Sequence, residues 1–584
     1  MSFLSKYGHW ALLLVTALVF APALGGDFCW DDRALILGNA VTDDLWGNLG
    51  TFFTADLWQT LELAGTDSGY YRPLMLVSLA VDRSIAGLSP VWAHAHSLAW
   101  HVGAVAALWW VMRKLCPPLP ALLGALIFAL HPLQIETVAL IAARNDAMAA
   151  AMGLTALGLV LDKDTKTPAL LGAGLLTWAA MLSKESAVLL PMLLGALDWA
   201  RAGKPQGWAR YGALSAGVAL YLLMRTLAGI SGGAPEPSVW PRLAESLPDL
   251  SAIYISLLAL PWPLTPARHI LYLPESMGRY YAVAALVLGG IGVAIWKAKD
   301  RRLVLAGLIW ALLAWLPTLV ATADKGLMGE RYLYLPLAGL GMALAAALPE
   351  KPKLLVGIGA VFALASTVVI ELRLPDWKNS RTLWEAAHQV EPSPFTHGGL
   401  AWYVYQDRDW GQARMHFVAA VQGTPSYRDA CTHLVMVNLQ MKDPARAVEE
   451  GAWGLRDRSC PRIPETMGYW AVALASVGRW DDAIDVISGM TGDPFGHRII
   501  VASAHAALRQ DFARYDAIEA NWKASEPLAP HVIRLLQGGG EKQAAELLAA
   551  WKDGRLKKVD PNTVDRQAVE AAGGQVIQGP PSRQ

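Results

Sequence analysis

Long apolar stretches before residue 373 constrain the fold of this chain more than any other feature. A helix needs roughly 20 mostly apolar residues to cross the hydrocarbon core of a bilayer, and on that basis we predict about eleven membrane-spanning helices. They lie near residues 10–26, 91–112, 119–132, 146–161, 168–183, 185–199, 209–229, 280–296, 303–321, 332–348 and 353–372. The sequence therefore predicts an all-α polytopic membrane domain over residues 1–372. The formal net charge of zero gives no sign of a nucleic-acid partner.

Basic loops set the predicted orientation, because lysine and arginine are enriched in cytoplasmic loops. The basic residues after the second, fourth, sixth, eighth and tenth spans share one side: Arg113, Lys114, Lys163, Lys166, Arg201, Lys204, Arg210, Lys297, Lys299, Arg301, Arg302, Lys351 and Lys353. We therefore expect an inner (cytoplasmic) membrane protein whose other loops and C-terminal part face the periplasmic or extracytoplasmic side. A span at Leu250–Leu264 would break this alternation, so we interpret that segment as a re-entrant or interfacial helix.

The chain after residue 373 is polar and repeats itself. The segments "DWGQARMHF", "DPARAVEEG" and "RWDDAIDVI" share Ala413, Ala447 and Ala483, which are spaced by 34 and 36 residues. This spacing is close to the period of tetratricopeptide repeats. We predict a linker at 373–395, a tetratricopeptide-repeat α-solenoid at 396–553 and a partly disordered tail at 554–584. An irregular helical domain is the alternative, and Cys431 and Cys460 could pair in an oxidising compartment.

Charged side chains gather in the loops on the predicted outer side. Asp31, Asp32 and Arg33 follow the first span in "WDDR", and Arg72 lies in "GYYRPL". Three further loops contribute Glu136, Arg144, Asp146, Lys184, Glu185, Glu330, Arg331 and Tyr332. Each of these residues alone could be an interfacial anchor or part of a structural ion pair. Together they indicate a functional site, because ionisable groups at a membrane edge are costly.

This combination fits the transfer of a sugar from a lipid phosphate. Breaking a sugar–phosphate bond leaves negative charge on the phosphate, which arginine and lysine bind well. A carboxylate must also take the proton of the attacking hydroxyl. We predict Asp31 as the general base, and Asp32 as the residue that orients the acceptor or, through Arg33, the first acid. The predicted phosphate-binding cations are Arg72, Arg144, Lys184 and Arg331.

The acids are not accompanied by a histidine–cysteine ligand cluster, so we predict no obligatory metal. Glu136 and Asp146 could orient the cations, or they could help to bind a divalent ion, so metal dependence stays open. His94 and His101 could share one face of the second span, but His96 lies off that face. We therefore interpret these histidines as a polar helix lining.

The order of the motifs resembles a known family. "GDFCWDDRALILGNAVT", "YYRPL", "HPLQIETVALIAARND", "LSKES" and "GERYLYLP", followed by the repeats, resemble the transmembrane and tetratricopeptide-repeat O-mannosyltransferases of the GT-C superfamily. The resemblance implies a GT-C fold, inverting transfer from a polyprenyl-phosphate-linked sugar, and no nucleotide-sugar site. It places Asp31 and Asp32 at the family's acidic pair. It also matches Arg144, Lys184 and the Glu330–Arg331 dipeptide to the family's further motifs.

The predicted function is transfer of a single sugar, such as mannose, to an exported acceptor. We expect the acceptor to be a hydroxyl of protein Ser or Thr, and we expect the repeats to dock the protein that carries it. Two alternatives stay open. A lipid-linked sugar transporter or flippase would distribute its polar groups through the membrane depth, and an inactive membrane-anchored repeat scaffold would not need all of these motifs together. The sequence leaves the sugar, the acceptor and the anomeric linkage open.

Overall fold

The computed structural model describes residues 2–61, 68–230, 239–270, 272–274, 276–423, 430–456 and 464–488. Helices dominate these ranges, as the all-α prediction requires. Within them, the short strands β1 (Arg268–His269) and β2 (Leu327–Met328) pair antiparallel. The chain divides into two units, Met1–Thr396 and His397–Gln584.

The helices of the first unit follow each other with short connections. They are α1 (Ser2–Phe20), α2 (Leu49–Thr54), α3 (Pro73–Ala86), α4 (Pro90–Arg113), α5 (Pro118–Leu130), α6 (Ile135–Ala139), α7 (Arg144–Val160), α8 (Thr167–Ser183), α9 (Leu190–Ala202), α10 (Trp208–Leu227), α11 (Val239–Ala259), α12 (Gly278–Lys297), α13 (Arg301–Lys325), α14 (Tyr334–Ala347), α15 (Pro352–Arg373) and α16 (Ser380–Val390). The last of these lies inside the segment predicted as a linker.

Four segments in the described part of the chain are long and apolar enough to cross a membrane. They are Tyr7–Gly25, Gly278–Lys297, Arg301–Thr322 and Pro352–Trp377. The pair Pro118–Leu130 and Pro132–Ala139, bent by 52°, adds a fifth if it forms one broken span, and Thr167–Ser183 is a shorter apolar helix. The chain is thus a multi-pass membrane protein. The count of eleven spans and the membrane placement of Leu250–Leu264 stay predictions.

Glycine pairs bring α14 close to two neighbouring helices. A Cβ atom at Gly307 of α13 would lie 2.5 Å from the carbonyl oxygen of Gly339, and one at Gly124 of α5 would lie 2.6 Å from that of Gly341. Any side chain there would push the helices apart, and small residues at helix interfaces are common in membranes for this reason. These contacts fix the helix that begins directly after the Glu330–Arg331 motif.

The charged motifs lie where helices are interrupted. A π-helical turn (Arg33–Leu37) follows the Asp31–Asp32 pair, and 3-10 turns at Pro132–Gln134 and Ile141–Ala143 flank α6. Further 3-10 turns cover Glu185–Leu189 before α9 and Glu330–Leu333 before α14. The charged motifs therefore lie in short irregular turns between consecutive helices of the first unit.

The second unit continues with short helices that each pack against the next one along the chain. After α17 (Pro394–Gln406), which contains the boundary between the units, come α18 (Trp410–Gln422), α19 (Ala430–Gln440), α20 (Pro444–Arg456), α21 (Pro464–Ser476) and α22 (Trp480–Ser488). The repeated alanines Ala413, Ala447 and Ala483 are fully buried. The tetratricopeptide assignment stays a prediction. Cys460, the part of the predicted repeat domain after residue 488 and the tail at 554–584 lie outside the described residues.

Candidate active site

Asp32 is a buried residue that joins two loops by hydrogen bonds. Its Oδ2 atom accepts hydrogen bonds from the backbone N–H groups of Cys29 (3.2 Å) and Ile141 (3.3 Å), and Oδ1 accepts one from Ala142 (2.6 Å). Burial raises the pKa of Asp32 to about 7, although the three donors oppose this rise. In this structure Asp32 joins the first loop to the turn before α7, so its oxygens are engaged within the protein.

Asp31 has a different environment from its neighbour. Its side chain is half-buried and makes no hydrogen bond or ion pair within the described part of the chain. Burial raises the pKa of the Asp31 carboxyl above its ordinary value, and the charge of Arg331 opposes the rise. A carboxylate that is available and made more basic by burial can serve as a general base.

The segment after α15 supports the loop that carries these acids. Trp30 adopts a positive φ of 46°, a conformation that non-glycine residues rarely hold without support. Its N–H donates to Ser380 Oγ (3.0 Å), and its ring contacts the rings of Trp384 and Phe395. The N–H of Asp27 also donates to the carbonyl of Lys378 (2.8 Å). The polar composition after residue 373 gave no signal for this supporting role.

Arg331 and Glu136 form an ion pair beside Asp31. Glu136 is fully buried, and its oxygens accept from the backbone N–H of Arg331 (2.9 Å) and from its Nη1 (3.0 Å). The Cζ atom of Arg331 lies 5.9 Å from the centre of a Trp30 ring and 6.0 Å from that of Tyr332. The pair therefore places a cation next to the loop of Asp31.

Two further cations are held by acids from neighbouring loops. Arg72 donates from Nε and Nη2 to Glu185, with a shortest distance of 2.8 Å, and its guanidinium lies 4.4 Å from the centre of the Tyr70 ring. Lys184 is paired with Asp146. Lys184 lies within the electrostatic influence of both Arg72 and Arg331. We call Arg72, Lys184 and Arg331 the cation cluster.

The cation cluster keeps hydrogen-bond donors that the protein does not use. Nη1 of Arg72, and Nε and Nη2 of Arg331, have no partner within the described residues, and Lys184 uses one of its three N–H groups. The acid partners fix the position of each cation, and the remaining donors can bind an oxyanion such as a phosphate.

Arg144, predicted as a phosphate-binding cation, lies apart from the cation cluster. Its guanidinium is fully buried and donates to Ser97 Oγ (2.9 Å), Ser78 Oγ (2.9 Å), Asp82 Oδ2 (2.5 Å) and the carbonyl of Ala93 (2.6 Å). All of its nitrogen atoms are occupied by α3 and α4. In this structure the guanidinium of Arg144 is engaged within the protein, and its binding to the carrier phosphate stays a prediction. Serines inside apolar helices gave only a weak sequence signal for this network.

Two supporting residues also differ from the prediction. Arg33 is exposed and forms no ion pair within the described residues, so the cation that acts on Asp31 is Arg331. Glu330 is buried beside Arg373 and Arg268 instead of joining the cation cluster. Burial raises its pKa to about 7, and the charge of Arg373 opposes the rise.

Two acids of the site, Glu136 and Asp146, could have bound a metal ion instead of cations. Glu136 and Asp146 orient Arg331 and Lys184, as one of the two predicted roles requires. Within the described residues, Asp31, Glu136 and Asp146 do not approach each other closely enough to ligate a single ion together. The absence of an obligatory metal stays a prediction.

Several curated proteins are similar to this chain in sequence. Protein O-mannosyl-transferase Tmtc1 of Drosophila melanogaster is 28% identical over 188 residues, which cover 31% of this chain and 21% of that protein. Protein O-mannosyl-transferase TMTC2 of Homo sapiens is 30% identical over 182 residues (29% and 21%). Protein O-mannosyl-transferase TMTC4 of Mus musculus is 26% identical over 465 residues (66% and 62%). These relatives confirm the resemblance to the transmembrane and tetratricopeptide-repeat O-mannosyltransferases.

The match to the first of these relatives spans about a fifth of its length. No family model matches the chain. Among solved structures, the oligosaccharyltransferase of Archaeoglobus fulgidus tethered to an acceptor peptide has a TM-score of 0.37 and 12% identity, covering 71% of this chain and 59% of that one. The oligosaccharyltransferase AglB of the same organism, in complex with an inhibitory peptide and a dolichol-phosphate, has a TM-score of 0.36 and 14% identity (71% and 60%).

Proposed function

We propose that the chain is an inverting membrane glycosyltransferase that moves a single sugar from a polyprenyl-phosphate carrier to a hydroxyl of an exported protein. One observation carries the proposal. Asp31, a carboxylate without a partner in the described residues, is in the electrostatic range of Arg331, and Arg331 belongs to a cation cluster that has unused N–H donors. The curated relatives, named as protein O-mannosyl-transferases, favour Ser or Thr as acceptor and mannose as the sugar.

The proposed reaction assigns one task to each group. The acceptor hydroxyl gives its proton to Asp31 as its oxygen bonds to C1 of the sugar. The bond between C1 and the phosphate oxygen breaks, and the electron pair leaves on the polyprenyl phosphate. Attack from the face opposite the leaving phosphate inverts the configuration at C1. Unused donors of Arg72, Lys184 and Arg331 stabilise the charge that develops on that phosphate.

The polar groups that do not react hold the site in shape. Asp32 fixes the loop of Asp31 against the turn before α7, and Glu136, Asp146 and Glu185 hold the cations. The site is proposed to face the periplasmic or extracytoplasmic side, because the basic loops occupy the other side in the eleven-span count. The helices after α16 are proposed to dock the protein acceptor.

The proposal is tested with the purified full chain in lipid nanodiscs. The donor is mannosyl-phospho-undecaprenol or its dolichyl equivalent, and the acceptor is an exported protein rich in Ser and Thr. We expect a gain of one hexose in the intact mass of the acceptor and release of polyprenyl phosphate. Guanosine-diphosphate mannose without a lipid carrier should give no product. Movement of the donor across a vesicle membrane without transfer would indicate the transporter, and donor binding without either outcome would indicate the scaffold.

A further inference from the structure

Three aromatic side chains lie against the arginines of the cation cluster. The Cζ atom of Arg331 lies 5.9 Å from a ring centre of Trp30 and 6.0 Å from that of Tyr332, and the Cζ atom of Arg72 lies 4.4 Å from the ring centre of Tyr70. Tyr332 also lies within the electrostatic influence of both Tyr70 and Arg331. The rings therefore border one shared site, and we call Trp30, Tyr70 and Tyr332 the aromatic group.

The polar ends of the aromatic group are not used by the protein. The indole N–H of Trp30 and the hydroxyls of Tyr70 and Tyr332 make no hydrogen bond within the described residues, and none of these three polar atoms is buried. The hydroxyl of Tyr71, which follows Tyr70, instead donates to the carbonyl of Phe53 (2.9 Å). Buried tyrosines usually engage their hydroxyl groups in this way. The N–H and O–H groups of the aromatic group are therefore open to a ligand.

The segment after α15 fixes the ring of Trp30. Its ring centre lies 5.4 Å from that of Trp384 and 6.1 Å from that of Phe395, and the two neighbouring rings meet it at steep angles of 66° and 64°. The backbone N–H of Trp30 donates to Ser380 Oγ, and Trp30 adopts a positive φ of 46°. Strained backbone conformations of this kind persist where the surrounding structure enforces them, and they are concentrated at functional sites. The position of the Trp30 ring is therefore set before a ligand binds.

The proposed reaction restricts where the sugar ring of the donor can lie. The C1 atom of the sugar is joined to the phosphate, which binds the cation cluster, and it is attacked by the hydroxyl that gives its proton to Asp31. Trp30 directly precedes Asp31 in the sequence, and its ring lies beside Arg331. The ring of Trp30 is therefore placed next to both the loop of the base and the cations.

We propose that the aromatic group is the subsite for the sugar ring of the donor. This inference rests on the proposed function. The C–H face of a pyranose packs on the ring of Trp30, and the unused N–H and O–H groups bind sugar hydroxyls. Apolar walls with a few well-placed polar groups are the usual composition of a small-ligand site. The cation cluster disfavours a positively charged amino sugar, so the class of ligand is a neutral pyranose.

Tyrosine-to-phenylalanine changes test the subsite at the level of single hydroxyl groups. In nanodiscs, Tyr70→Phe and Tyr332→Phe should each raise the KM for a polyprenyl-phosphate sugar by roughly two- to tenfold, the range expected for one lost hydrogen bond. The affinity for sugar-free polyprenyl phosphate should not change. Tyr71→Phe is the matched control, because its hydroxyl bonds within the protein, and it should leave the KM for the donor unchanged.

Two outcomes of this comparison would overturn the subsite. One is a wild-type KM for the donor in all three variants, in a chain that transfers sugar, and it would leave the proposed function intact. The other is a rise in the KM for the acceptor protein alone, which would assign the hydroxyl groups to the acceptor.

Changes at Trp30 test the packing of the sugar on a ring, and the binding measurement does not depend on catalysis. Trp30→Leu should weaken binding of the sugar-bearing carrier by roughly five- to tenfold relative to the sugar-free carrier, and Trp30→Phe, which keeps an aromatic face, should restore part of this loss. An equal loss for both carriers would overturn the subsite. A wild-type chain that transfers no sugar, but prefers the sugar-bearing carrier through Trp30, would support the subsite and overturn the proposed function.

Discussion

Replacement of Arg331 by methionine separates the structural and functional roles of the Arg331–Glu136 pair. Glu136 is fully buried, and the donors it receives within the described residues are the backbone N–H and Nη1 of Arg331. Arg331→Met keeps an unbranched apolar stem and the backbone donor, but it removes the guanidinium group and its positive charge. The carboxylate of Glu136 then stays buried without its ion-pair partner.

The expected loss of stability follows from this burial. Removing one partner of a buried ion pair typically costs 3–5 kcal/mol. The backbone N–H of residue 331 remains in place, and the Arg331 side chain is 22% exposed, so water can reach part of the gap. We therefore expect the free energy of unfolding to fall by about 3 kcal/mol, the lower end of that range.

The double variant Glu136→Gln with Arg331→Met distinguishes folding from ligand binding. Glutamine is uncharged, and its amide oxygen can still accept from the backbone N–H of residue 331. Most of the lost stability should return, because replacing both partners of a buried pair is often close to neutral. Binding of polyprenyl phosphate should stay at least roughly tenfold weaker in both variants, since a charge-assisted hydrogen bond contributes about 1.5–3 kcal/mol.

Unfolding is followed in mixed detergent micelles, and lipid binding by microscale thermophoresis. Arg210→Met is the control, because Arg210 pairs with buried Asp198 (2.5 Å) away from the cation cluster. It should lower stability without changing the affinity for polyprenyl phosphate. A double variant as unstable as Arg331→Met, or one that binds polyprenyl phosphate normally, would refute this reasoning.

Three further changes probe the surrounding groups. Arg144→Met should lower the free energy of unfolding by about 3–5 kcal/mol, because it leaves buried Asp82 without its arginine partner. The KM of the folded fraction for the sugar donor should stay within about twofold of the wild-type value. A tenfold rise in this KM would mean that Arg144 contacts the carrier phosphate. Folding raises the pKa of Asp32 from 3.8 to about 7, so its contribution to stability is present below pH 4 and is lost as the pH rises towards 7. Asp32→Asn should remove this pH dependence of the free energy of unfolding. An unchanged dependence on pH would contradict the role of Asp32 as a buried residue that joins the two loops. Deletion of residues 396–553 should reduce sugar transfer to a protein acceptor more than transfer to a short Ser/Thr peptide, as measured by product mass. Equal losses with both acceptors, in a membrane unit that is still folded, would exclude acceptor docking by the repeats.

The charged motifs could be found from the sequence because ionisable residues stand out in an apolar background. The ion pairs between the acids and the cations could not be predicted in the same way. Arg72 and its partner Glu185 are 113 residues apart in the sequence, and Arg331 and Glu136 are 195 residues apart. Which acid meets which cation depends on helix packing, and that packing follows from contacts such as the glycine pairs of α14. Sequence reasoning therefore identified the group but not its internal contacts.

Residues with the same sequence signal can lie in different environments in the structure. Arg144 resembles the other three cations in its position after an apolar stretch, yet its donors are taken by Ser78, Ser97 and Asp82. Serine residues inside apolar helices give a weak signal for such a network. Ser380, which binds the backbone of Trp30, lies in a polar segment that the sequence marks as a linker.

The most direct test of the central claim is the single-turnover rate of sugar transfer by Asp31→Asn with saturating polyprenyl-phosphate sugar. Asparagine keeps the shape and one acceptor oxygen but cannot take a proton, so the rate should fall by roughly 100-fold or more. Affinity for polyprenyl phosphate should stay within about twofold, and Asp32→Asn should reduce the rate less. A near-normal rate in Asp31→Asn would contradict the account, because the hydroxyl would then be deprotonated without this carboxylate.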